Sequence, residues 1–206
     1  PDTEDPKTRE FVEDAIVAPL GLASAPVRPG HYRAVCSRGM EYELYEEEID
    51  VREHELTTVD AVLRRAFDTP GWASGDFHLH AEHSVDSSMA VDARVAHVAA
   101  EGVDVACSSD HNFVTDYAQA IASQGLERWV QGMVGIELTT MESGHFNAFP
   151  LTYDAGPITK GSFRWFEVPP ADIFEGLRKL GRFGPERTIV QVNHPRSAMN
   201  GYLNDY

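Results

Sequence analysis

Residues 75 to 88 read GDFHLHAEHSVDSS and place three histidines and two aspartates within fourteen positions. Imidazole and carboxylate without thiolate suit zinc, manganese or iron rather than a structural cysteine site. His78 and His80 lie two apart, and the period of an extended strand puts both on one side, within reach of one ion. Further potential ligands follow: Asp86, Asp110-His111, Glu137, His145 in GHFNAF and His194 in VNHP. A carboxylate such as Glu137 can bridge two cations, which an imidazole pair cannot. Two ions about 3.5–4 Å apart bring the pKa of a shared water toward neutrality and clamp the oxygens of a hydrolysed group. Singly, each residue has a plain explanation. An isolated H-x-H is as often structural as ligating, and a lone histidine is more often a satisfied polar side chain. Jointly the plain explanations do poorly, because five of the nine histidines fall at or beside the ends of strand-like runs.

The elements that must position these residues alternate in type. From Trp72 onward, an apolar start leads into the histidine cluster. Ser87 or Ser88 can cap a helix with Val91, Val95 and Val98 on its apolar face. VDVACSS reads as a buried strand, TDYAQAIASQ as a helix, WVQGMVGIELTT as one strand and HFNAFPL as another. PPADIFEGLRKLG is a helix with Ile173, Leu177 and Leu180 on one face, and TIVQVNHP is a final strand. Strands alternating with amphipathic helices predict parallel βαβ units, whose C-terminal strand ends converge on one mouth. The preceding part differs. HYRAVCS and EYELYEEEIDV alternate apolar and polar residues as half-buried antiparallel strands do, with Arg38-Gly39 as a turn. Residues 1–70 are therefore expected to form a small β-sandwich-like domain, and residues 71–206 the second domain, with DTPGWASG as the boundary.

Composition narrows the function classes. The 206 residues are 42% hydrophobic and 24% charged, ordinary for a globular chain. A formal charge of -16 argues against nucleic acid or an anionic membrane surface as the main partner. No apolar run is long enough to span a membrane, and a small-molecule substrate is the expected partner. Cys36 and Cys107 form no C-x-x-C, which excludes a thiolate zinc knuckle or a disulfide framework. There is no G-x-S-x-G elbow and no P-loop. His31, His54 and His97 read as surface residues, while His83 is left open between the surface and the pocket wall.

Taken in order, GDFHLHAEHSVDSS, VACSSDHN, GIELTT with GHFNAF, and VNHPR resemble the motifs of the polymerase and histidinol phosphatase (PHP) metallohydrolases. The eight-residue step from His78 to Asp86 is similar to the bacterial carbaryl-hydrolase-like (CehA/McbA) branch. The resemblance covers about residues 72 to 206. It implies a distorted (β/α)7 TIM-like barrel with two or three divalent ions (Zn, Mn or Fe) in its mouth. Carried over by residue, His78 and His80 would bind one ion with Glu137 bridging. Asp86 and His111 would serve another, and Glu137, His145 and His194 a third. Asp76 and Asp110 would orient histidines by accepting their other N–H. Arg196 is either a contact for an anionic substrate group or an ordinary surface arginine. The implied activity is hydrolysis of an ester, amide or carbamate, or of a phosphoester, with Glu137, Asp110 and Arg196 at the reacting centre. The family's closing Asp-x-His does not follow His194, and a seven-stranded barrel needs more chain, so the sequence is expected to be a fragment of a longer protein. If it is not, the alternative is a non-catalytic extracellular binding module with a degenerate barrel. Because the chain starts at Pro1, a leader and a secreted or periplasmic location stay open.

Overall fold

A computed structural model describes residues 12–199 and 201–204. The chain divides into two compact units, one running to Trp72 and including Ala100–Gly102, the other made of Ala73–Ala99 and the chain from Val103 onward.

The first unit is built on strands β1 (Gly30–Cys36) and β2 (Tyr45–Val51), paired antiparallel with Tyr32 opposite Ile49 and Ala34 opposite Glu47. Tyr32, Ala34 and Cys36 are half-buried and their neighbours exposed, as the alternation predicts. The expected β-sandwich is not there: this pair is the unit's only sheet among the described residues. The following segment supplies no second apolar face, since Leu56 and Val62 stand exposed.

The second unit carries two three-stranded sheets. Strands β3 (Gly75–Leu79), β4 (Val105–Ser108) and β5 (Gln131–Met133) are parallel, joined by helices α1 (Val91–Ala100) and α2 (Ala118–Ser123). Strands β6 (Ile136–Thr139), β7 (His145–Phe149) and β8 (Ile189–Asn193) are antiparallel, with helix α3 (Pro170–Lys179) between β7 and β8. Each sheet has its own core. Val95, Val98, Ile121 and Leu126 pack against the first. Ile136, Leu138, Phe146, Ile173 and Leu177 fill the second, and full burial of such a side chain contributes about 1.5–3 kcal/mol. α3 begins with Pro170 in its first turn, where a missing N–H costs nothing, and ends with Arg178 and Lys179 against the negative end of its dipole. α1 starts at Val91, whose N–H is accepted by Glu82 rather than by Ser87 or Ser88.

This mixed arrangement overturns the (β/α)7 barrel. Only five residues, 140 to 144, join β6 to β7. A parallel crossover needs about a dozen or more, so this link can only form a hairpin, and β7 runs back along β6. The stretch expected as one strand, WVQGMVGIELTT, breaks at Val134-Gly135 into β5 and β6, which belong to different sheets. Gly135 permits the break: a Cβ there would lie 2.6 Å from the Ser108 carbonyl oxygen and 3.0 Å from that of Ala148. The chain therefore threads between β4 and β7 where only glycine fits. No helix among the described residues is long and apolar enough to cross a membrane.

Candidate metal centre

The two sheets meet around one side chain. Where β4 ends, His111 forms a parallel bridge with Glu137 on β6. The Glu137 N–H donates to the Asp110 carbonyl and the Asn112 N–H to the Glu137 carbonyl. Asn112, at φ 55°, reinforces this seam: its side-chain amide donates to the Thr139 carbonyl and accepts the Thr139 N–H, both at 3.0 Å. The left-handed backbone is one asparagine tolerates better than most residues.

Glu137 is 1% exposed, and six nitrogens surround its carboxylate. Around Oε2 stand His78 Nε2 and His80 Nε2 at 3.1 Å and His111 Nδ1 at 3.3 Å. Around Oε1 stand Asn193 Nδ2 at 2.9 Å, His145 Nδ1 at 3.0 Å and His194 Nε2 at 3.4 Å. A carboxylate oxygen offers about two lone-pair directions, so three nitrogens on each oxygen are more than hydrogen bonds alone would assemble. As expected, the His78 and His80 rings both reach one oxygen, across the irregular end of β3.

Asp86 closes the other side, with Oδ1 3.3 Å from His80 Nδ1 and Oδ2 3.4 Å from His111 Nε2. It is 54% exposed, whereas Glu137 forms the floor. Ser84, buried beside it, donates its hydroxyl proton to Asp86 at 2.8 Å and so accepts from His80 Nδ1, also at 2.8 Å. That network assigns the His80 proton to Nδ1 and leaves Nε2, in the neutral ring, with a lone pair facing a carboxylate. Likewise the Thr139 hydroxyl donates to the Glu137 carbonyl and accepts from His111 Nδ1, turning a bare His111 Nε2 toward Asp86. A lone pair against a carboxylate is repulsive unless a proton or a cation lies between them. Buried hydroxyls holding one ring nitrogen so that the other is free is how metal-ligating histidines are oriented.

In the metal-free protein a proton takes the place between His80 Nε2 and Glu137, and His80 is drawn toward its doubly protonated form. Burial alone would push the Glu137 carboxyl up, but hydrogen bonds from His145, His78, His80 and Asn193 outweigh it and hold the group far below the usual carboxylate range. His80 is raised, first by its bond to Glu137 and then by Asp86 and Asp110 against its own burial. His111 is lowered, chiefly by burial. For Asp86, burial pushes up, but Ser84, His80 and His111 together bring it below its ordinary value.

Three overlapping groups can each hold a cation: His78, His80 and Glu137; His80, Asp86 and His111; His111, Glu137 and His145. In each, the ligand atoms lie within 4.8 Å of one another. The nitrogen and oxygen donors and the central carboxylate fit a divalent cation. His194, at φ 26°, reaches Glu137 but belongs to none of the three groups.

Two expected roles are not those observed. Asp110 is fully buried, but its carboxylate accepts from the Ala81 N–H at 2.6 Å and from the Thr115 hydroxyl. Asp76 accepts the His78 backbone N–H at 3.0 Å. Asp76 thus sets backbone, and Asp110 sets backbone and the Thr115 hydroxyl, which faces His83 Nδ1 at 3.2 Å; neither bonds the rings around Glu137. Arg196 is exposed, outside the three groups. His83 stacks on Phe113 with ring centroids 4.3 Å apart and lies outside them as well. Missed by the sequence reading were Ser84, Thr139, Asn147 and Asn193. The strand period could have found two of these, since Asn147 shares a face of β7 with His145 and Thr139 a face of β6 with Glu137.

No family model matches the chain, and neither a curated protein nor a solved structure does.

Proposed function

We propose that the chain is a metal-dependent hydrolase of the PHP type its motifs resemble, acting on an ester, amide or carbamate, or on a phosphoester. The observation that carries the reading is the buried Glu137 carboxylate, ringed by five imidazoles, with His80 held at Nδ1 by Ser84 and turned with Nε2 toward Glu137. Two or three bound divalent ions would supply a water acidified toward neutral pH and a Lewis acid for the substrate oxygen. His78, His80, Asp86, His111, Glu137 and His145 would hold them, with His194 at the rim. Ser84 and Thr139 keep the His80 and His111 rings turned inward, and Glu137 supplies the negative charge that offsets the cations. Asp86, His78 and His194 are the more exposed members, so a substrate enters from their side. Arg196, two residues past His194, is the cation nearest in sequence to that rim and would meet an anionic substrate group.

The test is metal content by plasma mass spectrometry on protein purified without chelator, followed by hydrolysis assays on esters, carbamates and phosphoesters. Two to three equivalents of Zn, Mn or Fe with chelator-sensitive turnover support the reading. Turnover that survives chelation sinks it. Metal far below one equivalent, with no uptake on addition, would favour the binding-module alternative.

A further inference from the structure

Behind the histidines lies a second layer made of neutral amides. Asn193, 2% exposed, donates from Nδ2 to Glu137 Oε1 at 2.9 Å and to Asn147 Oδ1 at 2.6 Å. Asn147, fully buried, donates from its own Nδ2 to the Phe77 carbonyl at 2.7 Å. Both protons of the Asn193 amide are thus used, and the direction of each amide is fixed along the chain Phe77, Asn147, Asn193, Glu137. The relay crosses β3, β7, β8 and β6, and so ties the parallel sheet to the antiparallel one at the carboxylate. Register explains why the parts meet. Asn147 pairs with Glu137 across β6–β7, and Asn193 pairs with His145 across β7–β8.

These amides differ from the histidines in what cation binding would do to them. An imidazole nitrogen that takes a cation must give up any N–H contact with Glu137. An Asn193 N–H carries no such conflict and can stay on Oε1 throughout. It is also the one donor among the six nitrogens that does not titrate, since an amide neither gains nor loses a proton in this range.

We infer that Asn193, anchored by Asn147, is a positioning residue that fixes the rotation of the Glu137 carboxylate so that both oxygens face ligand groups at once. The inference rests on the metal-centre reading above. It makes a prediction opposite to simple electrostatics. Asn193→Asp is nearly isosteric and adds a negative charge beside the cations, which by charge alone would tighten binding. If the donated N–H is what matters, the same change places a carboxylate against Glu137 Oε1, turns it away and weakens binding.

The experiment titrates Mn2+ into wild type, Asn193→Asp and Asn147→Asp. It reads stoichiometry and affinity by calorimetry, exchange coupling between manganese ions by electron paramagnetic resonance, and folding by circular dichroism. Wild type should bind at least two ions and show the coupled signal of a bridged pair. Asn193→Asp should bind about 10- to 100-fold more weakly, the range for a lost outer partner of a ligand, and show an uncoupled spectrum at equal loading. Asn147→Asp keeps the acceptor for Asn193 but loses the bond to Phe77, so it should lie between the two. Equal or tighter binding by Asn193→Asp with coupling intact overturns the inference. Failure of both variants to fold overturns it too, since the amides would then be structural. A wild type that binds two coupled ions yet hydrolyses nothing defeats the hydrolase reading and leaves the relay standing. A wild type that binds no manganese defeats both.

Discussion

Replacing Glu137 by glutamine should empty two of the three ligand groups at once, and so remove more metal than loss of the Asp86 carboxylate. Glu137 belongs to two of the three ligand groups, while the third, His80 with Asp86 and His111, does without it. Glutamine keeps the shape and one acceptor oxygen, but puts an NH2 where an oxygen faced three nitrogens. Loss of one partner from a buried charged contact costs about 2–5 kcal/mol, and at about 1.4 kcal/mol per decade that is roughly one and a half to three and a half decades of affinity. Both groups that contain Glu137 should fall below occupancy at micromolar metal, and the retained ion should sit with Asp86. Asp86→Asn is the control, because Asp86 belongs to only one group and is 54% exposed. It should lose at most one ion, with the smaller penalty of a solvated carboxylate. Plasma mass spectrometry after gel filtration, with calorimetry on the same samples, measures both. A Glu137→Gln protein with the wild-type metal content and affinity would refute the placement of Glu137 at the middle of the centre. So would an Asp86→Asn protein that loses more metal than Glu137→Gln.

The metal-free protein should lose stability as pH falls below the ordinary Glu value of 4.5, because the folded Glu137 pKa is depressed. A depressed carboxylate stabilises the fold above its unfolded pKa, and that contribution disappears as pH drops through the folded one. Urea melts of chelated wild type and Glu137→Gln at successive pH values should give a flatter acid limb for the variant, and parallel limbs would count against it. Cys107 is fully buried and burial pushes its thiol up to about 12 from 9.0, with Asp76 adding to the effect. A thiol reagent at pH 8 should therefore label Cys36 in the native protein and both cysteines only in denaturant. A raised thiol stabilises the fold below its unfolded pKa and ceases to do so as pH rises through the folded one, so stability should fall between pH 9 and 12. About three units at 1.36 kcal/mol each sets an upper figure of about 4 kcal/mol, and Cys107→Ala should remove that slope. Asp110→Asn should lower the melting temperature of chelated protein, since a buried donor would lose its acceptor at about 1–3 kcal/mol. Unchanged melting with lost turnover would instead return Asp110 to the reacting centre.

The candidate ligands were legible before the fold because ligand chemistry is a property of side-chain type. His78, His80, Asp86, His111, Glu137 and His145 announce nitrogen and oxygen donors wherever the backbone takes them. His78 and His80, two apart across the irregular end of β3, both reach one oxygen. Topology was less legible, since it turns on connections rather than on the strands themselves. HFNAFPL looks the same whether it runs parallel or antiparallel to IELT, and the difference lies in the five residues between β6 and β7, too few for a helix. Gly135 carried the other clue, the break of one apparent strand into two. The role given to Asp110 was illegible for a further reason: its partners are the Thr115 hydroxyl and the Ala81 backbone N–H, the latter a donor every residue but proline has and no sequence marks. What the six nitrogens around Glu137 require is only that the ends of β3, β4, β6, β7 and β8 come together. Two small sheets seamed at Asp110–Asn112 meet that requirement as well as a barrel mouth would. The case for metal chemistry therefore stands on the convergence of the strand ends and stays intact when the barrel is withdrawn.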